Sequence, residues 1–147
     1  MLKKLNNRGF TLLELLLSVA IVALLAGLSL PVYRTLMQKN DLDIATTTIA
    51  QSLRRAQILS QAVDGDTTWG VNAQSNNIVI FKGTSYATRD ATFDETFDVP
   101  TTIGISGSTE IVFAKFTSLP QTTGTINLST SNDSRSVTIN EKGTIGI

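Results

Sequence analysis

A chain of 147 residues suffices for one globular unit and at most one appendage. Twelve basic side chains balance twelve acidic ones, but Lys3, Lys4 and Arg8 all precede the first apolar run, so the remainder is mildly acidic and poorly matched to nucleic-acid phosphates. Cysteine and histidine are both absent, which excludes disulfides, thiolate ligation and the usual histidine-based hydrolytic and zinc chemistry. No catalytic residue, metal site or cofactor is expected, and no enzyme.

Residues 10–30 read FTLLELLLSVAIVALLAGLSL, with Glu14 the one charge among them. As a helix at 1.5 Å per residue this stretch spans roughly 30 Å, the thickness of a bilayer core. The basic cluster ahead of it would stay cytoplasmic, placing everything after it outside. An ordinary secretory signal would need a small-residue cleavage site, which Ala23, Ala26, Gly27 and Ser29 supply only loosely. A plain signal anchor needs nothing more. Neither accounts for a carboxylate five residues into an apolar run, where burial costs on the order of a few kcal/mol and an acid is a functional hypothesis by default.

The run Arg8-Gly9-Phe10-Thr11-Leu12-Leu13-Glu14-Leu15 resembles the prepilin signature of type IV pilins and type II secretion pseudopilins. Leu13 stands where isoleucine is usual. The resemblance implies a leader, residues 1–9, cut by a prepilin peptidase between Gly9 and Phe10, and methylation of the new amine on Phe10. The apolar helix over 10–31 would be retained for the membrane and for filament assembly. Glu14 would pair with the Phe10 amine of a neighbouring subunit, offsetting the burial cost of both and setting register. Gly9, lacking a side chain, lets a protease approach its carbonyl closely. Pro31 falls where pilins commonly kink or unwind the helix. Physically it removes a donor and clashes one turn back, although it could equally mark the end of the membrane span.

Beyond Pro31 the pattern turns amphipathic. Leu42, Ala45, Ile49, Leu53, Ala56 and Leu59 recur at steps of three and four, and Asp64-Gly65-Asp66 supplies a stop. One helix is therefore expected over about 10–63, its amphipathic half lying within a 32–66 segment. Arg54 and Arg55 read as a solvated face. From 67 to 147 the composition shifts to Thr, Ser, Gly, Asn and β-branched residues. Strand-like runs fall at 68–72, 77–82, 101–105, 110–113, 124–129, 136–140 and 144–147, with turns at Ser75-Asn76-Asn77 and Glu141-Lys142-Gly143. The fold class is α+β: a long N-terminal helix packed on a small antiparallel sheet or sandwich. Asp90, Asp94, Glu95 and Asp98, interleaved with Phe93 and Phe97, read as an exposed acidic loop in preference to a calcium site.

The order of the head segments resembles the GspH/FimT-type minor pseudopilins and minor pilins. The matching pieces are Trp69-Gly70-Val71, Ile78-Val79-Ile80-Phe81, Val99-Pro100, Val112-Phe113 and the closing Gly143-Thr144-Ile145. That resemblance implies a structural subunit, with partners in the prepilin peptidase, other pilin subunits and the inner membrane. Some relatives in that group bind DNA through basic residues near the C-terminus. Here that end holds Lys142 and no arginine, so nucleic acid is not an expected partner. The alternatives are a DNA-binding minor pilin and a membrane-anchored extracytoplasmic binding domain.

Overall fold

The computed structural model describes residues 9–147. Residues 1–8, all but the last of the expected leader 1–9, lie outside the described residues, as do the side chains of Leu28, Ser29 and Leu30. The fold divides into two compact units, one running through Leu36 and the other Met37–Ile147. Helix α1, Leu12–Gln61, contributes to both.

In the unit Met37–Ile147, α1 shows one face to the core. Leu42, Ala45, Ile49, Leu53 and Ala56 are buried and Leu59 packs against them, as the three–four spacing requires. Eight strands follow: β1 Trp69–Ala73, β2 Asn77–Lys82, β3 Asp90–Asp98, β4 Gly104–Gly107, β5 Glu110–Phe113, β6 Gly124–Ser129, β7 Ser134–Ile139 and β8 Ile145–Gly146. They form two antiparallel four-stranded sheets, ordered β3-β2-β1-β5 and β4-β6-β7-β8. The architecture is α+β, a long N-terminal helix packed on antiparallel sheets.

Period-two alternation sends Trp69, Val71, Ile78, Ile80, Ile111 and Phe113 of the first sheet into the core with the helix stripe. Ile126, Leu128, Val137 and Ile139 of the second sheet join the same core. The outer face of the first sheet holds a smaller cluster of Val79, Phe81 and Val112, closed by Tyr86 at 5.6 Å from the Phe81 ring. Gly70 sits beneath that ring. A Cβ there would come within 2.6 Å of Phe81 and 2.8 Å of the Ile111 carbonyl, so the close strand packing admits only glycine.

Ser60 joins the helix end to both neighbouring strands. Its buried hydroxyl accepts from the Trp69 N–H at 2.9 Å and lies 3.2 Å from the Phe113 carbonyl. The expected turn at 75–76 closes β1 on β2, with Gln74 and Asn77 exchanging backbone bonds of 2.8 and 3.2 Å. Gly143 closes the β7–β8 turn with φ 75°, a conformation that suits glycine.

The strand expected over 101–105 begins only at Gly104, after a turn at Thr101 and Thr102, and a second expectation fails outright. Asp90–Asp98 is not a loop but β3, the longest strand and the edge of its sheet. Phe97 lies opposite Ile78 and Glu95 opposite Ile80, with the register shifting between Ile80 and Lys82. Acidic side chains and an irregular register are ordinary ways of protecting a free edge from unwanted pairing. Phe93 and Phe97 remain 47% and 39% exposed, so neither anchors the segment in the core, whereas Val99 is buried there.

Candidate assembly site at the start of the helix

The residues implicated by sequence are Gly9, Phe10, Glu14 and Pro31. Gly9 and Phe10 precede α1. A Cβ built on Gly9 would meet nothing within 4 Å, and Phe10 is 86% exposed. A bond between them is thus open to an approaching enzyme.

Thr11 starts the helix, and its neighbours explain why it starts there. The Glu14 N–H donates to Thr11 Oγ1 at 3.3 Å, and the Thr11 N–H donates to Glu14 Oε2 at 3.4 Å. This is a capping box, in which two orphan donors of the first turn are satisfied reciprocally. The Leu15 N–H then donates to the Thr11 carbonyl at 3.1 Å, opening the regular ladder. Sequence reasoning assigned Glu14 to a subunit contact and passed over Thr11. The signal was present in the Thr-x-x-Glu spacing.

The arrangement holds the only carboxylate of this segment within one turn of the Gly9–Phe10 bond. Cutting there would create an ammonium group beside a helix N-terminus, where the macrodipole disfavours positive charge. A nearby carboxylate offsets that penalty. Glu14 uses one oxygen weakly in the capping box, and a carboxylate offers about four acceptor sites, so it can take a further donor.

Beyond this turn every described side chain from Leu12 to Gly27 is exposed, including Leu12, Leu13, Val22 and Leu24 at 78, 77, 65 and 70%. Among the described residues α1 is the one helix long and apolar enough to cross a membrane. Contiguous apolar surface of this extent marks a membrane or partner-facing segment. Pro31 lies inside α1, which is helical on both sides of it. Lacking an N–H, Pro31 leaves the carbonyl one turn earlier without its regular donor, while Thr35 Oγ1 donates back to the Pro31 carbonyl at 3.1 Å. The structure therefore places Gly9, Phe10, Thr11 and Glu14 together and leaves Pro31 apart, several turns along the helix.

Other candidates resolve into structural roles. Arg55 pairs with Glu95 across to β3 at 2.6 Å, with both side chains substantially exposed. Arg135 ties β7 to α1 through Asp43 at 3.0 Å and also meets Asp133. Among the described residues no three acidic side chains converge as a metal site.

Residues 4–30 match the prokaryotic N-terminal methylation motif. The match takes in residues 4–9 of the expected leader, the Gly9–Phe10 bond, the capping box and the apolar run to Leu30, and it supports a type IV pilin-like precursor processed by a prepilin peptidase. No curated protein and no solved structure matches the chain.

Proposed function

We propose that the chain is the precursor of a pilin or minor pseudopilin, a structural subunit of a type IV pilus or type II secretion pseudopilus. One observation carries this reading: the methylation motif coincides with an apolar stretch whose described side chains are exposed from Leu12 to Gly27 and whose first turn holds Glu14, the one charge among residues 10–30. A prepilin peptidase cuts after Gly9, Phe10 is methylated, and the mature chain waits in the inner membrane as a single-pass protein. Lys3, Lys4 and Arg8 keep the leader cytoplasmic, so the globular unit lies outside. Assembly moves the apolar helix from lipid into a bundle of neighbouring helices, where it stays shielded from water. Glu14 then meets the Phe10 amine of the next subunit. The chain works by association and catalyses nothing itself.

Within that class the order of the head segments favours a GspH/FimT-type minor subunit. The test is Glu14→Ala in cells that assemble the filament. Normal cleavage with the protein retained in the membrane and missing from sheared filaments is the expected result. Undiminished incorporation would remove Glu14 from assembly and leave a membrane-anchored binding domain as the better reading.

A further inference from the structure

Glu14 and Arg34 bracket nineteen uncharged residues. As a helix, they stand about 30 Å apart, the thickness of a bilayer core. The same length placed over residues 10–30 would carry Glu14 about 6 Å into hydrocarbon and leave Arg34 about as far outside it. Two placements of one helix therefore compete, and the first turn of α1 decides between them. The helix begins at Leu12 and not at Phe10. A helix start leaves four N–H groups without intrahelical acceptors, and the capping box takes those of Thr11 and Glu14 by bonds of 3.4 and 3.3 Å. Those of Leu12 and Leu13 remain, beside a Glu14 carboxylate with unused acceptor capacity. Hydrocarbon offers none of these groups a partner, whereas water at the headgroups offers one to each.

With Glu14 at the boundary, Phe10, Leu12 and Leu13 lie at headgroup depth. Apolar side chains tolerate that layer far better than hydrocarbon tolerates a carboxylate and two bare donors. The outer end agrees. Tyr33 is 62% exposed, and Arg34 is exposed beside it. A tyrosine next to an arginine suits the headgroup layer, the ring lying against the acyl boundary and the guanidinium reaching phosphate. Between the two ends the described side chains are apolar except Ser18, whose hydroxyl donates to the Leu15 carbonyl at 2.9 Å and needs no outside partner. Pro31 leaves the Gly27 carbonyl without its regular donor, but that carbonyl lies within the core in either placement and does not separate them.

We propose that the helix sits in the bilayer with residues 15–32 in hydrocarbon, Glu14 among the cytoplasmic headgroups, and Tyr33 and Arg34 among the outer headgroups and their phosphates. This inference rests on the membrane-resident state proposed above and fixes the depth of the helix within it. Glu14 then leaves water only when the helix leaves lipid, so its pairing with a Phe10 amine forms at assembly and not before. The Gly9–Phe10 bond, in turn, is held on the watery side of the boundary, open to an enzyme working from the cytoplasm.

The chain has no cysteine, so a single introduced thiol reports without background. Full-length Leu13→Cys, Leu24→Cys, Val32→Cys and Leu36→Cys chains would each be expressed with the peptidase but without assembly machinery, which keeps them in lipid. Inverted and right-side-out membrane vesicles would then be treated with a membrane-impermeant maleimide. The predicted result is labelling of Leu13→Cys from the cytoplasmic face only and of Leu36→Cys from the outer face only. Leu24→Cys and Val32→Cys should label several-fold more slowly from either face. Protection at Leu13→Cys, or rapid labelling of Val32→Cys, would overturn the placement and leave the membrane span standing. Rapid labelling of Leu24→Cys would overturn both. Adding Gly9→Val, which blocks cutting, should keep the same window, because the placement comes from the helix start and not from the freed amine. A displaced window in that uncut chain would also overturn it.

Discussion

Thr11 and Glu14 carry two duties that substitutions can separate. Replacing Thr11 by Ala removes the cap and should weaken the first turn by about 1 kcal/mol, read as faster amide exchange at Leu13 and Glu14 in detergent micelles. Glu14→Gln keeps a side-chain oxygen at the third helical position and should leave that exchange nearly unchanged, because Gln also closes a capping box. It would nevertheless lose the charge needed opposite an ammonium group. Equal exchange rates in the two variants would contradict this separation. Lys115 and Asp66 give a residue-scale pH effect. The hydrogen bond from Lys115, followed by its charge, holds the Asp66 carboxyl below the ordinary carboxylate range. A depressed folded pKa stabilises above the unfolded value, about 3.9, and that contribution is lost as pH falls through the folded value. The Tm difference between wild type and Lys115→Met should therefore be present at pH 6 and shrink below about pH 4. A constant difference across that range would sever the link.

Elements in this chain are held by a few buried polar stitches as well as by the apolar core. Ser60→Ala leaves the buried Trp69 N–H without its acceptor, and an orphaned buried donor costs about 1–3 kcal/mol. The Tm of the detergent-solubilised chain should fall by several degrees, whereas an unchanged Tm would show that the strand finds another partner. Leu53→Ala, at a fully buried position on the helix stripe, should cost about 2–5 kcal/mol. Much of this architecture was legible in the sequence. The helix was readable over about 10–63 against the observed Leu12–Gln61, because leucine and alanine spacing and the Asp64-Gly65-Asp66 stop are local signals. Strands β2, β5 and β6 were readable to the residue for the same reason. β3 was not, since its acids read as loop composition. Phe93, Glu95 and Phe97 alternate with Thr92, Asp94 and Thr96, but only an edge position tolerates so many charges. The division into two sheets was also hidden, because β1 pairs with β5 across three intervening strands, of which β2 and β3 stay in its sheet while β4 leaves for the other, a choice that local residues do not reveal. At the candidate site, Gly9, Phe10 and Glu14 were legible from one compact motif. Thr11 was overlooked because the motif assigns Glu14 a partner outside the chain.

For the whole molecule, the core residues from Leu42 to Ile139 all belong to the unit beginning at Met37. A chain starting at Met37 should accordingly be soluble and monomeric by size-exclusion chromatography, with mixed helix and strand by circular dichroism. Aggregation of that fragment would mean that the preceding segment is needed for the fold as well as for anchoring. The segment before it has another purpose on this account: a leader to be removed, and an exposed apolar helix to be moved from lipid into a filament. Intact mass of the full chain co-expressed with a prepilin peptidase, wild type beside Gly9→Val, tests that claim most directly. The account predicts loss of residues 1–9 and gain of one methyl group in the wild type, with neither change in the variant, whose branched side chain crowds the scissile carbonyl. An uncut wild-type chain, under conditions that process a known prepilin, would contradict it.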